Sequence, residues 1–351
     1  MGKFVSLTAL VGVLTGSASG DSLGSYNVDP ASVSVSGLSA GGFMAGQLGV
    51  AYSGTFQTGF GIFAAGPYDC ARNQYYTFCM YNANPSITVP TDNMRSWSGD
   101  KIDPVENLRN RKIYLETGTA DPTVGVNPMN KLRDQLAEFN DPAKVSYIKT
   151  EGAGHTFPTD FDAPGNAPCD VGSQSPFISN CGYDGAGEVL KWMYGELQPR
   201  NDGALTGSLI EFDQTGSFGA AGMAATGYVY IPAACQDGSV KCKLHVALHG
   251  CKQDPSHIGT KFIDNTGYTK WAVLFWKLTI VALNLLDTNN IVILYPQTKR
   301  DSTPRVIWGG TMLPNPNACW DWTGWYGNDA DQKSGVQMRA IVAQVNQLMG
   351  V

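Results

Sequence analysis

The stretch VSVSGLSAGGFM, residues 33–44, is the most informative part of this sequence. Residues 33–36 are β-branched or small and predict a short strand, and residues 42–48 predict a helix of small and apolar residues. Between them lies a Gly-x-Ser-x-Gly turn with Ser39 at its centre. This arrangement is typical of a nucleophile elbow, where glycines are needed because the strand and the helix crowd the serine. Ser39 is therefore the candidate nucleophile.

The same pattern occurs once more, in residues 20–24, with Ser22 at its centre. No predicted strand precedes that match, so we expect no catalytic role for Ser22. The pattern alone is weak evidence in a chain with 41 glycines, and a glycine-rich turn without function is the alternative interpretation for Ser39.

A serine nucleophile needs a base, and the base needs an acid that holds its tautomer. Of the four histidines, His155 lies in a glycine-rich loop after the predicted strand 145–148. Asp121 follows the predicted strand 111–117 in a Gly-x-x-Asp turn. Ser39, Asp121 and His155 thus stand in the chain order of α/β-hydrolase triads. A helix-capping or turn aspartate is the alternative interpretation for Asp121.

Strand and helix patterns alternate along the whole chain, which predicts an α/β protein with a mostly parallel sheet. The region 199–227 is rich in Gly, Ser, Thr and Ala, holds only a weak strand at 209–212, and is a candidate domain linker. The other predicted strands are 60–64, 228–231, 244–248 and 291–295, and the predicted helices are 129–139, 186–197 and 334–349.

Histidine is a common zinc ligand, so His245 and His249 are candidates for a zinc site. However, residues four apart on a strand stand about 13 Å apart, which is too far for both to bind one metal ion. The segment from His249 to Cys251 follows the predicted strand 244–248 and resembles the His-Gly loop that supplies a backbone N–H to an oxyanion hole. We therefore expect the N–H groups of Ala40 and Cys251 to form that hole. No metal site is expected.

The strand before the His-Gly loop normally precedes the nucleophile strand in an α/β-hydrolase, whereas here it follows some two hundred residues later. A circular permutation explains this order, because both halves of the chain then form one sheet. We predict a single, circularly permuted α/β-hydrolase domain over residues 21–351.

Residues 1–20 predict a secretory signal, with a basic start, an apolar stretch at 4–14 and small residues at 16–20. The apolar stretch is too short to span a membrane. The 351 residues carry a formal charge of −6 with no run of like charge, which argues against a nucleic-acid partner. We expect a secreted protein without a membrane partner.

The eight cysteines all follow the predicted signal, as expected for disulfides in an oxidising compartment. Although 105 pairings are possible, short spacings favour three pairs, and the remaining two cysteines would join the His-Gly loop to a distant segment. The predicted pairs are Cys70 with Cys79, Cys169 with Cys181, Cys235 with Cys242, and Cys251 with Cys319.

Several of these motifs together resemble the secreted fungal polyhydroxybutyrate depolymerases: VSVSGLSAGG (33–42), GPYDCA (66–71), HTFP (155–158), LHGC (248–251) and CWDW (319–322). The resemblance covers nearly all of residues 26–349. It implies a single-domain, circularly permuted esterase that hydrolyses poly(3-hydroxybutyrate), with Ser39, Asp121 and His155 as its triad, no metal or cofactor and no separate polymer-binding domain. A feruloyl or acetylxylan esterase and a non-catalytic secreted polymer-binding module are the alternatives. We expect a monomer.

Aromatic residues gather after the last predicted strand, and an aromatic groove would suit an uncharged polyester. Trp308, which precedes Gly309 and Gly310, is the candidate substrate contact.

Residues 273–286 depart from the family pattern, in which residue 272 runs directly into residue 287. This atypical apolar insert, VLFWKLTIVALNLL, carries one charge. A lengthened buried helix is one interpretation, and an unspliced intron in the gene sequence is the other.

Overall fold

The computed structural model describes residues 21–272 and 289–351. The predicted signal, residues 1–20, and the insert, residues 273–286, lie outside the described residues. In chain order the strands are β1 (Val28–Leu38), β2 (Gly59–Phe63), β3 (Lys112–Gly118), β4 (Val145–Thr150), β5 (Phe157–Thr159), β6 (Ile178–Asn180), β7 (Ser208–Asp213), β8 (Thr226–Ile231), β9 (Cys242–Leu248), β10 (Ile291–Tyr295), β11 (Asp301–Val306) and β12 (Met312–Asn315). The helices are α1 (Ala40–Ala51), α2 (Thr88–Trp97), α3 (Val126–Leu136), α4 (Gly185–Tyr194), α5 (Pro255–Ile258), α6 (Lys261–Asn265), α7 (Tyr268–Ala272) and α8 (Val336–Met349).

Eight strands form the central sheet, in the order β4-β3-β2-β1-β9-β10-β8-β7. The strands from β4 to β10 are parallel, and β8 is antiparallel to both of its neighbours. In the middle of the sheet, Val35 of β1 pairs with Phe60 on one side and Val246 on the other. The first strand of the chain therefore lies beside a strand that follows two hundred residues later.

This arrangement confirms the circular permutation. The comparison becomes clear when the sheet strands β7 to β10 are numbered 1 to 4 and β1 to β4 are numbered 5 to 8. Their order across the sheet is then 1-2-4-3-5-6-7-8, which is the strand order of an α/β-hydrolase. The Tyr26 N–H donates to the Leu348 carbonyl at 3.0 Å, so α8 ends next to the residues that lead into β1. The permuted chain thus keeps the helix in front of the nucleophile strand.

The central sheet carries apolar side chains on both faces, since helices cover both sides of a parallel sheet. One face packs against α1, α3 and α8 through buried residues such as Leu48, Leu132 and Ile341. The other face packs against α4, α6 and α7 through Val189, Phe262 and similar residues. The result is a three-layer domain.

The candidate linker at residues 199–227 does not separate two domains. Its weak strand is β7, which pairs with β8 along its whole length and completes the sheet. The low hydrophobicity of this region reflects its place at the sheet edge, where residues such as Leu209 face solvent.

All four predicted disulfides are formed: Cys70–Cys79, Cys169–Cys181, Cys235–Cys242 and Cys251–Cys319. Within residues 21–272 and 289–351, no helix is long and apolar enough to cross a membrane.

Candidate active site

Ser39 occupies the sharp turn between β1 and α1, with φ 56° and ψ −121°. This conformation is rare for a residue with a side chain and costs roughly 1–3 kcal/mol, which the surrounding structure must offset. Here the Ser39 N–H donates to the Phe63 carbonyl, and the Ser39 carbonyl accepts from the Phe43 N–H, both at 2.9 Å. Two hydrogen bonds therefore fix the strained turn.

The two glycines of the turn have no room for a side chain. A Cβ on Gly37 would lie 2.4 Å from the Gly41 carbonyl oxygen, and a Cβ on Gly41 would lie 2.4 Å from the carbonyl oxygens of Leu248 and His249. The close approach of β1, α1 and the end of β9 therefore explains the Gly-x-Ser-x-Gly pattern physically.

Asp121 and His155 follow the carboxyl ends of the neighbouring strands β3 and β4. His155 Nδ1 lies 2.8 Å from Asp121 Oδ2, with the side chains 6% and 0% exposed. Asp121 Oδ1 accepts the N–H groups of Thr123 at 2.7 Å and Val124 at 3.0 Å. Burial acts to raise the pKa of the Asp121 carboxyl, but the charge of His155 and these hydrogen bonds outweigh it and lower the pKa. The ionised carboxylate accepts the Nδ1–H of His155, which leaves Nε2 as the basic nitrogen.

Ser39 and His155 line the same cleft, which has a volume of about 410 Å³. Its wall is largely apolar and aromatic, and Trp322 is stacked on Phe43 with ring centroids 4.1 Å apart. No carboxylate side chain of the described residues lines it, and Lys252 is its one lysine. Other wall residues are Tyr76, Met80, Phe177, Leu313, Pro314 and Trp325. The cleft therefore suits an uncharged substrate.

The His-Gly loop, residues 249–251, lies against Ser39. A Cβ on Gly250 would stand 3.3 Å from the Cβ of Ser39. Among the described residues, no acceptor in the chain receives the N–H of Ala40 or of Cys251. Two free donors thus stand next to the candidate nucleophile, as an oxyanion hole requires.

The disulfide from Cys251 to Cys319 ties this loop to the segment that follows β12. The Lys252 N–H adds a hydrogen bond to the Asn317 carbonyl at 2.7 Å. Lys252 also adopts a left-handed φ of 60°, which is uncommon outside glycine. Covalent and hydrogen bonds therefore hold the loop in one position.

Gln253 is a buried residue that sequence reasoning missed. Its Oε1 accepts the Gly250 N–H at 2.7 Å, and its Nε2 donates to the carbonyls of Pro176 at 2.8 Å and Phe177 at 3.2 Å. The Phe177 ring stands edge-on to the ring of His155. Gln253 thus joins the His-Gly loop to the segment beside His155, and a glutamine in a loop carries no pattern that could have revealed this.

Trp308 does not belong to the side chains that line the cleft. Its ring lies over the guanidinium of Arg72, 4.3 Å from ring centroid to Cζ, and its backbone N–H donates to the Thr323 carbonyl at 2.9 Å. Its role as a substrate contact stays a prediction, and the tryptophans on the cleft wall are Trp322 and Trp325.

His245 is hydrogen bonded through both ring nitrogens, to Ser34 Oγ and to Ser36 Oγ at 2.7 Å each. Burial lowers the pKa of the His245 imidazole to about 3, so the ring is neutral. In the part of the chain that the structure describes, no group of three or more His, Cys, Asp or Glu side chains is arranged to hold a metal.

Comparison with known proteins adds to this geometry. A sequence profile described as the prolyl oligopeptidase family matches residues 23–164. The chain is 57% identical to the polyhydroxybutyrate depolymerase of Talaromyces funiculosus over 98% of its own length and 97% of that protein. It is 42% identical to the poly(3-hydroxybutyrate) depolymerase of Delftia acidovorans over 93% of its own length and 61% of that protein.

Two solved structures share the fold with a TM-score of 0.89 each, covering 94% of this chain and 99% of theirs. One is a PHB depolymerase with an S39A substitution complexed with an R3HB trimer, at 58% identity. The other is the PHB depolymerase from Penicillium funiculosum, at 59% identity. Because the likeness in sequence and fold extends over nearly the whole chain, this protein belongs to the polyhydroxybutyrate depolymerase family.

Proposed function

We infer that this protein is a serine esterase that hydrolyses the ester bonds of poly(3-hydroxybutyrate) through an acyl-enzyme. The observation that carries the proposal is that His155, held by the buried Asp121, lines the same cleft as Ser39, which occupies a strained turn. Ser39 is the nucleophile, His155 the general base and acid, and Asp121 the residue that orients His155.

The proposed reaction has two halves. The Ser39 hydroxyl oxygen attacks the ester carbonyl carbon while its proton passes to Nε2 of His155. The C–O bond to the leaving alcohol then breaks, and Nε2 returns the proton to that alcohol. A water molecule attacks the acyl-enzyme in the same way, and Ser39 recovers its proton as the carboxylic acid leaves.

Both tetrahedral intermediates carry a negative oxygen, which the N–H groups of Ala40 and Cys251 stabilise. Removing one such donor typically lowers kcat by about 10²–10³-fold. Both donors are free in the chain, and the loop of Cys251 is held by a disulfide, so little rearrangement is needed during the reaction.

The cleft supports a polyester substrate because its wall is apolar, aromatic and free of carboxylates in the described residues. A polyhydroxybutyrate chain offers methyl groups and ester carbonyls and no charge along its length. One relative in this family binds an R3HB trimer, and both curated relatives are depolymerases of this polymer. A feruloyl or acetylxylan esterase and a non-catalytic binding module are therefore not favoured.

We further propose that the protein acts outside the cell as a monomer, after removal of residues 1–20. The four disulfides support an oxidising compartment, because such bonds persist outside the reducing cytosol. N-terminal sequencing of the secreted protein and its sedimentation in solution test these two points.

A fluorophosphonate probe followed by peptide mapping tests the nucleophile directly. We expect the label on Ser39, and we expect Ser39→Ala and His155→Ala each to lower kcat by about 10⁴-fold with folding intact. Ser22→Ala is the matched control, since it removes a serine from the same sequence pattern without affecting turnover.

Clearing of a poly(3-hydroxybutyrate) suspension, measured beside hydrolysis of a feruloyl ester, tests the substrate. Turnover that survives Ser39→Ala, or faster hydrolysis of the feruloyl ester, would contradict the proposal.

A further inference from the structure

His249, the first residue of the His-Gly loop, is completely buried. Its Nδ1 lies 2.7 Å from the carbonyl oxygen of Gly250, and its Nε2 lies 3.3 Å from the backbone nitrogen of Thr298. The ring packs against Phe262 and Trp320. Both nitrogens of a buried histidine therefore contact backbone groups, one of them in the peptide bond that leads to Cys251.

The partners of His249 determine where its proton lies. The Gly250 carbonyl can only accept, so Nδ1 must donate and carries the single proton of the neutral ring, and Nε2 accepts the Thr298 N–H. The Thr298 hydroxyl oxygen also lies 3.2 Å from Nε2, but its proton goes to the Ala318 carbonyl, 2.6 Å away. Burial lowers the pKa of the His249 imidazole, which keeps the ring neutral. His249 therefore donates its Nδ1–H to the Gly250 carbonyl.

This hydrogen bond also determines the direction of the Cys251 N–H. In a trans peptide the carbonyl of one residue and the N–H of the next point in opposite directions. The Gly250 carbonyl points toward the His249 ring in the core, so the Cys251 N–H points away from it. Gly250 itself lies against Ser39, and Cys251 lines the cleft.

We propose that His249 is a positioning residue that turns the Cys251 N–H toward the ester carbonyl by holding the opposite side of the same peptide bond. The proposal rests on the proposed role of Cys251 in the oxyanion hole. Glycine permits this peptide to rotate, and rotation would present a carbonyl oxygen to the developing negative charge.

The other contacts of the loop restrain it less directly. The disulfide holds the Cys251 side chain, and Gln253 Oε1 holds the Gly250 N–H, but neither acts on the peptide bond between them. The Gly250 carbonyl also accepts the Gln253 N–H at 3.3 Å, which is the longer of its two hydrogen bonds. The bond from His249 is thus the shorter restraint on the orientation of this peptide.

Two substitutions separate positioning from packing. The Nδ2 of asparagine can occupy the place of Nδ1, so His249→Asn keeps a donor to the Gly250 carbonyl. In His249→Gln the longer glutamine side chain fills more of the space of the imidazole ring, but its amide lies at the position of Nε2 and not of Nδ1. A packing role alone makes His249→Gln the milder change, because it leaves the smaller void. Positioning makes His249→Asn the milder change for catalysis.

Steady-state hydrolysis of p-nitrophenyl butyrate gives the decisive comparison. For His249→Gln we expect kcat to fall by about 10- to 100-fold with KM within about 2-fold, because the lost interaction acts in the transition state. For His249→Asn we expect kcat within about 5-fold of the wild type, despite a melting temperature no higher than that of His249→Gln. Equal kcat values, or a higher kcat for His249→Gln, would overturn the proposal.

Nitrogen-15 NMR of the histidine rings in the unsubstituted protein provides a test that does not depend on folding of the variants. We expect His249 to be protonated on Nδ1 and unprotonated on Nε2, and the reverse tautomer would overturn the proposal.

Fluorophosphonate labelling of Ser39 distinguishes failure of the proposed function from failure of the role of His249. If Ser39 is not the nucleophile the proposed function fails, whereas labelled Ser39 with the wrong kcat order refutes only the role of His249.

Discussion

His155 Nδ1 lies 2.8 Å from Asp121 Oδ2, although the two residues are 34 positions apart in the chain. The contact arises because β3 and β4 are parallel neighbours, so the loops that follow them meet at the same edge of the sheet. Ser39 follows β1 at that edge as well. The order of the strands in the sheet therefore brings the triad together, because each of its residues follows the carboxyl end of a different strand.

The first prediction concerns Asp121→Asn. The Asp121 Oδ1 position accepts two backbone N–H groups, so the amide oxygen should stay there and the amide NH₂ should face His155. That NH₂ would donate to Nδ1 and move the ring proton to Nε2, where it blocks proton transfer from Ser39. We expect kcat on a soluble ester to fall by about 10⁴-fold. Near-ultraviolet circular dichroism should show an intact fold, and activity within 10-fold of wild type would contradict the role of Asp121.

Much of this site could be predicted from sequence because its signals are local. The strand, turn and helix around Ser39 are contiguous, and Asp121 and His155 each follow a strand with a clear pattern. The permutation followed from order alone, since the strand before His249 comes late in the chain.

The parts that sequence reasoning missed depend on tertiary packing. Gln253 matters because a loop 77 residues away brings the Pro176 carbonyl to its amide. Trp308 and Trp322 lie in the same aromatic segment of the chain, so the sequence does not show which of them lines the cleft. Trp322 faces the cleft because it stacks on Phe43, the fourth residue of α1.

The second prediction concerns Glu116, which is buried in β3 with its Oε1 accepting the Thr150 hydroxyl at 2.5 Å. Burial, with a smaller contribution from the charge of Asp121, raises the pKa of Glu116 to about 8 from its ordinary 4.5. Between these values the folded protein binds one proton more than the unfolded chain, so stability falls as pH rises. The slope from this group is at most about 1.4 kcal/mol per pH unit.

Glu116→Gln removes that titration and should flatten the dependence. We expect the melting temperature of the variant, relative to wild type, to increase steadily from pH 5 to pH 8. Calorimetry at four pH values measures this directly. Parallel curves for the two proteins would show that Glu116 does not carry a buried proton.

The third prediction concerns the disulfide between Cys251 and Cys319. Its 68-residue separation predicts about 4 kcal/mol of stability from chain entropy alone. Because it also anchors the loop next to Ser39, we expect replacement of both cysteines by alanine to lower kcat by about 10-fold or more, a fraction of the cost of deleting an oxyanion donor.

Replacement of Cys235 and Cys242 by alanine is the matched control. This pair closes a short loop at the opposite end of β9, about 20 Å from the site. It should lower the melting temperature and leave kcat unchanged. Similar kcat losses in both double variants would show that the Cys251–Cys319 bond acts through general stability.

The fourth prediction concerns the insert, and it rests on the described residues that flank it. Asn289 Nδ2 donates to the Trp271 carbonyl at 2.8 Å, and Asn289 Oδ1 accepts the Gln198 N–H at 2.9 Å. The end of α7 and the start of β10 therefore lie side by side. A connection of a few residues is enough to join them, as is usual between a helix and a strand.

Deletion of residues 273–286, so that Ala272 is followed by Asp287, should therefore preserve the fold. Eleven of the fourteen deleted residues are apolar, too many for a helix with one buried face, and exposed apolar surface favours aggregation. We expect the shortened protein to be secreted in higher yield, to melt at a higher temperature and to be at least as active. Asn289→Ala in the full-length and shortened chains tests the flanking contact, since it should destabilise both. Equal or better yield and melting temperature for the full-length chain would show that residues 273–286 are a packed element, and the hypothesis of an unspliced intron would be wrong.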